Sequence, residues 1–107
     1  MTTTETAVTV LVTVDEIDAH SGPRFAAELA DGVRRLEADG ATDLLVDLSG
    51  VTFMDSTGIR CLIDADVTLA RRGGRIVLSG ARGIVLRSLQ ATGVLDHLAS
   101  QGQEGDR

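Results

Sequence analysis

From Val8 to Val14 the chain alternates, with Val8, Val10, Val12 and Val14 on one parity and Thr9, Leu11 and Thr13 on the other. A period of two in β-branched residues predicts a strand, and Leu11 on the second face predicts partial burial there. Asp15 to Ser21 is polar apart from Ile17 and Ala19, and reads as a strand end and a loop. The period then changes. Phe25, Leu29, Val33 and Leu36 recur at steps of four, four and three, and Ala26 and Ala30 widen the stripe. This spacing predicts an amphipathic helix of roughly four turns. Ser21 is placed to cap it, Pro23 suits its first turn, and Asp39-Gly40 ends it.

The second half repeats the alternation of periods. Leu44 to Leu48 is an apolar run broken by Asp47 and reads as a central strand. Ser49-Gly50 turns the chain into a short apolar segment, Val51 to Met54, which leads to Asp55-Ser56-Thr57-Gly58. Ile59, Leu62, Ile63, Val67 and Ala70 then mark a second helical stripe, starting near Thr57 and stopping at Arg72-Gly73-Gly74. Ile76 to Leu78 is another short strand, broken by Ser79-Gly80. Ile84, Val85, Ser88 and Leu89 predict a third, shorter helix ending at Gly93, with Val94, Leu95 and Leu98 as one last packed turn.

Strand, helix, strand, helix, strand, helix is the order of an α/β fold, with parallel neighbours joined by right-handed crossovers. The expectation is a small mixed sheet of about four strands packed against three or four helices. Residues 6–99 would form the domain, with a disordered start over 1–5 and a disordered tail over 100–107.

Composition narrows the function. In 107 residues, hydrophobic types make up 43% and aromatic types 2%, so the core must be aliphatic. The formal net charge is −6 and no basic face is evident, which speaks against a general nucleic-acid binder. With Cys61 the only cysteine, no intrachain disulfide can form, and a reducing compartment is expected. Neither a signal peptide nor a run long enough to span a bilayer is visible. A cytoplasmic protein without direct membrane insertion is the expectation.

Three features could carry chemistry. In Asp55-Ser56-Thr57-Gly58, hydroxyls stand at a helix start. Ser56 there is either an ordinary cap or a phosphoacceptor, with Thr57 the alternative acceptor. Gly58 would leave room for a partner to approach the first turn, and Arg60 follows one turn on. The patch Asp15, Glu16 and Asp18 is either a solvated loop or the rim of a surface for a basic partner. His20 and His97 have no metal-ligand spacing around them, and Cys61 falls in a helix stripe as a small hydrophobe. No phosphate loop, dinucleotide fingerprint or nucleophile elbow occurs, so neither an enzyme, a cofactor nor a metal is expected.

Val51-Thr52-Phe53-Met54-Asp55-Ser56-Thr57-Gly58-Ile59 resembles the central motif of the STAS domain, and in particular of bacterial anti-sigma factor antagonists. Val14-Asp15-Glu16-Ile17-Asp18 resembles the family's turn before the first helix, and Gly80 to Val94 its closing segment. Together the matches cover roughly 6–98, in order. The resemblance implies a STAS-like α/β fold and a binding module. Such a module binds an anti-sigma factor that is also a serine-protein kinase of the histidine-kinase-like ATPase fold. It lets go when phosphorylated at the position of Ser56, and a serine phosphatase resets it. The surface for the kinase would take in Asp15, Glu16, Asp18, Asp55, Ser56, Thr57, Gly58 and Arg60. The alternative within the family is a STAS scaffold, or a subunit of a stressosome-like or lipid-transport complex, with no phospho-switch. Asp15 stands where the family has Gly, Gly83 stands near its Pro, and the match begins at the family's second strand. A bared sheet edge, and a monomer or weak dimer, are therefore expected.

Overall fold

The computed structural model describes residues 7–94; the expectations for 1–5, for Leu95, His97 and Leu98, and for the tail from Ser100 lie outside them. The period-two stretch forms β1 (Ala7–Leu11), and a two-residue strand, β2 (Glu16–Ile17), follows where a loop was expected. The first helical stripe is α1 (Gly22–Asp39), followed by β3 (Asp43–Asp47), the short β4 (Phe53–Met54) and α2 (Ser56–Ala70). β5 (Ile76–Ser79) and α3 (Gly83–Ala91) complete the described chain.

The strands form two ladders. One has the order β1-β3-β5, the other pairs β2 with β4, and every pairing is parallel. The helical crossovers dictate this, because a strand reached through a helix returns in the same direction. Among the described residues five strands, for the expected four or so, are divided between two small sheets, and three helices pack on them, in keeping with the expected small α/β fold. α1 packs over β1 and β3, α2 against β5 and β4, and α3 against β4.

Apart from Phe25, the core is aliphatic. Val8, Val10, Leu44, Val46 and Ile76 face α1 and α2 from the first ladder, and Phe25, Leu29, Leu36, Leu62 and Leu69 face back, all buried. Gly32 of α1 is placed by packing: a Cβ there would lie 2.4 Å from Val10 Cγ2 and 2.8 Å from Leu44 Cδ1. Gly40 ends α1 in the left-handed region at φ 72°, where its N–H turns back to the last carbonyls. Gly83 also has a positive φ, 59°, which proline cannot adopt.

Several expectations are corrected. β1 ends at Leu11, although Val12 N–H still donates to Asp47 O at 3.2 Å. Leu11 is 62% exposed, so the second face of the strand is not covered there. Ala26 and Ala30 are exposed on α1, and Val67 and Ala70 on α2. Asp66 and Leu69 take the buried positions instead, and Asp66 Oδ1 accepts from Ile76 N–H at 3.2 Å. A helix that carries a buried carboxylate in its apolar stripe misleads a count of apolar steps. Here the carboxylate fastens α2 to the start of β5.

Candidate functional site

The two segments singled out by chemistry lie side by side. β2 and β4 pair in parallel with Glu16 opposite Phe53 and Ile17 opposite Met54. Asp55 N–H donates to Ile17 O at 3.0 Å, and Thr52 donates twice to Asp15 O, from its N–H at 2.7 Å and its hydroxyl at 3.0 Å. A ladder of two residues on each strand therefore holds the acidic loop against the start of α2.

At that start the cap is Asp55 and not Ser56. Asp55 has extended backbone angles, and its Oδ1 accepts from Thr57 N–H at 2.8 Å. Gly58 N–H and Ile59 N–H both donate to Asp55 O. Of the first-turn donors that a phosphate was expected to find free, those of Thr57, Gly58 and Ile59 are thus in use. Ser56 is the first residue of the helix, exposed, and released from capping. Thr57 is half-buried: a Cβ on Gly22 would lie 2.5 Å from its Cγ2, so its methyl rests on the first turn of α1. Of the two hydroxyls, Ser56 is the accessible one.

Gly58 has a different role from the expected one. It is buried, and a Cβ there would meet Met54 Cγ at 2.6 Å and Ile17 Cγ2 at 2.9 Å. Its missing side chain lets α2 settle on the β2–β4 ladder, and it offers no clearance to a partner. Arg60, one turn beyond Ser56, is exposed.

The acidic loop has its own internal frame. Asp18 Oδ1 accepts from His20 N–H and Ser21 N–H, each at 3.0 Å, forming an Asx turn ahead of α1. The Ser21 N–H holds the Asp18 carboxyl below its ordinary range against an opposing desolvation, and the His20 N–H adds to the lowering. Ser21 sits at the N-cap of α1 without capping it; its hydroxyl donates to Glu16 O at 2.5 Å and accepts from Asp18 N–H at 3.0 Å. Asp18 is thus committed inward, while Asp15 and Glu16 are exposed. Thr52 and Gly22 are positioning residues that the pattern of the sequence did not single out, and Ser21, expected as a cap, is a third. Only the Asp-x-x-Ser spacing of 18 and 21 carried a signal, as an Asx turn.

Elsewhere Cys61 is half-buried, with its thiol pushed up by burial and then by Asp64. A high thiol pKa means little thiolate, which fits a packing role better than a nucleophile. Among the described residues no group of three or more His, Cys, Asp or Glu could hold a metal ion, and no helix is long and apolar enough to cross a membrane.

The motif around Ser56, the turn at Asp15–Asp18 and the parallel β-α order coincide with a family match over residues 1–104, to the STAS domain. The chain belongs to the STAS domain family. Two relatives, each named as an anti-sigma-B factor antagonist, come from Listeria monocytogenes serovar 1/2a and Listeria innocua serovar 6a. Each is 29% identical over 91 residues, covering 85% of this chain and 76% of the relative. This STAS domain therefore presents Ser56, Asp15, Glu16 and Arg60 to solvent on one helix start and its adjoining loop. Gly58, Met54 and Ile17 hold that surface from beneath.

Proposed function

We propose that this STAS domain is an anti-sigma factor antagonist, a cytoplasmic binding module that is switched by phosphorylation and performs no catalysis itself. Its partner would be an anti-sigma factor that is also a serine-protein kinase of the histidine-kinase-like ATPase fold, and a serine phosphatase would reset it. The observation that carries the reading is the exposed Ser56 at the first position of α2, freed from capping by Asp55, on a helix start bonded to the β2 segment that carries Glu16. The two Listeria relatives, each named as an anti-sigma-B factor antagonist, support it.

A phosphate on Ser56 adds roughly −1.5 to −2 charge. Within the domain this costs little. The hydroxyl is exposed, the positive end of the α2 dipole lies beneath it, and Arg60 stands one turn away on the same helix face. Across a close interface the balance reverses. The added charge must be desolvated beside Asp55, with the Thr57, Gly58 and Ile59 N–H groups already bonded within the domain. The modification would therefore lower partner affinity far more than stability. Asp15, Glu16, Asp55, Ser56, Thr57 and Arg60 would form the contact surface. Asp18 and Gly58 would shape it, and the acid groups would steer a basic partner surface.

Calorimetric titration of a candidate kinase with wild type, Ser56→Ala and Ser56→Asp tests this. Wild type and Ser56→Ala should bind alike, and Ser56→Asp at least about tenfold more weakly, the equivalent of roughly 1.4 kcal/mol. Equal binding by all three would leave a STAS scaffold without a switch.

A further inference from the structure

β1 is an outer strand of the three-stranded ladder among the described residues. In a parallel ladder a residue's N–H and C=O point the same way, so alternate residues serve one neighbour. Val12 N–H donates to Asp47 O of the β3 segment, which assigns Val8, Val10 and Val12 to β3 and turns Thr9, Leu11 and Thr13 outward. Outward main-chain groups on such a strand are a template for another chain.

Here α1 reaches across them. Arg24, Glu28, Asp31 and Arg35 recur at steps of four, three and four, and so lie in one row along the helix. Arg35 Nη2 donates to Thr9 O at 3.0 Å. Glu28 Oε1 accepts from Thr13 N–H at 3.1 Å, and its second oxygen accepts from the Thr13 hydroxyl. Arg24 Nη2 donates to that hydroxyl at 3.2 Å. Contacts of 4.0 Å from Arg24 to Glu28 and 3.6 Å from Arg35 to Asp31 tie the row together. Exposed ion pairs contribute little to stability. The row is notable for two of its targets, the Thr9 carbonyl in β1 and the Thr13 N–H just beyond it, which are main-chain groups on either side of the exposed Leu11.

The order of charges adds a second barrier. From Arg24 to Arg35 the signs run plus, minus, minus, plus, which is a palindrome. Antiparallel pairing of β1 with the β1 of a second copy has a two-fold axis normal to the sheet. Because α1 packs over β1 and β3, that axis sets two α1 helices side by side and reversed. Arg24 then meets the second copy's Arg35, and Glu28 meets its Asp31. Like charges face like along the whole row.

We propose that the row Arg24, Glu28, Asp31 and Arg35 is an edge guard, which keeps β1 from pairing with the β1 of a second copy of this chain. The double change Glu28→Lys with Arg35→Glu removes both main-chain caps. It also reorders the row to plus, plus, minus, minus, which is complementary to itself about the same axis. In sedimentation equilibrium over a concentration series, the wild-type full chain should have the mass of one copy. The double variant, shown folded by circular dichroism, should self-associate at least about tenfold more tightly, towards two copies. Independently of whether that variant folds, Glu28→Ala should speed amide exchange at Thr13 while leaving Val12, bonded to β3, unchanged. A folded double variant that stays a single copy at every concentration overturns the guard. So does a Thr13 amide that exchanges equally in wild type and Glu28→Ala, or a wild-type dimer that Leu11→Asp dissolves.

Discussion

The β1-β3-β5 ladder buries Val8, Val10, Leu44, Val46 and Ile76 beneath two helices, whereas the β2–β4 ladder is two residues long on each side and leaves Glu16 and Phe53 partly or wholly exposed. The first is held by apolar area, which is non-directional and tolerates adjustment. The second is held by directed main-chain bonds, from Thr52 to Asp15 and from Asp55 to Ile17, with Gly58 allowing the helix above to sit close. The contrast shows how a small domain keeps a polar surface fixed in shape. The large ladder supplies the stability, and the small one supplies the position of a loop and a helix start.

The largest effect should come from the large ladder's side. Leu62→Ala removes a fully buried side chain from α2 and should cost about 2–5 kcal/mol in urea melts. Val67→Ala, on the same helix but 41% exposed, should stay within about 0.5 kcal/mol. Equal losses at the two positions would erase the distinction between the buried and the open side of α2.

A methyl added under the small ladder is the next test. Gly58→Ala places a Cβ 2.6 Å from Met54 Cγ and 2.9 Å from Ile17 Cγ2. Overpacking of this kind should cost about 1–3 kcal/mol. It should also shift the amide resonances of both Asp15–Asp18 and Ser56–Ile59, because one contact supports both segments. Shifts confined to α2 would separate the loop from the helix start.

Asp55→Ala should cost about 1 kcal/mol through the lost cap, and Ser56→Ala within about 0.5 kcal/mol, since the serine hydroxyl does not cap. Denaturation midpoints of the two variants rank the residues directly, and a larger loss at Ser56 would return the cap to it.

The smallest effect concerns acid. The Asp18 carboxyl is held below its ordinary range by the Ser21 N–H and then the His20 N–H. A depressed carboxylate stabilises the fold above its unfolded pKa, and that stability is lost as the pH falls through the folded value. Wild type and Asp18→Asn should therefore differ near neutrality and converge in acid. A carboxyl titration followed by NMR should place Asp18 below the ordinary aspartate value.

Much of the architecture was legible. A period of two located β1, short apolar runs located β3 and β5, and steps of three and four located α1, α2 and α3, because those elements bury one side against a common core. β2 and β4 were not legible, since two residues hold no period; their pairing is set by Thr52, Asp55 and the Ser21–Asp18 turn. Asp66 was hidden because a buried carboxylate looks polar in a pattern, although it bonds the main chain of β5. At the site, the Asp-Ser-Thr-Gly string pointed to the right helix start but not to the division of labour within it. Asp55 accepts from the backbone, Thr57 packs on Gly22, Gly58 packs on Met54, and Ser56 alone is left outward.

That division of labour leads to the central measurement, incubation of the full chain with a cognate serine kinase and ATP, followed by intact-mass and peptide mapping. One phosphate should appear, on Ser56, and the Ser56→Ala chain should remain unmodified while still binding the kinase. Phosphate on the half-buried Thr57 instead, or none on any hydroxyl while wild type and Ser56→Asp bind equally, would contradict the account.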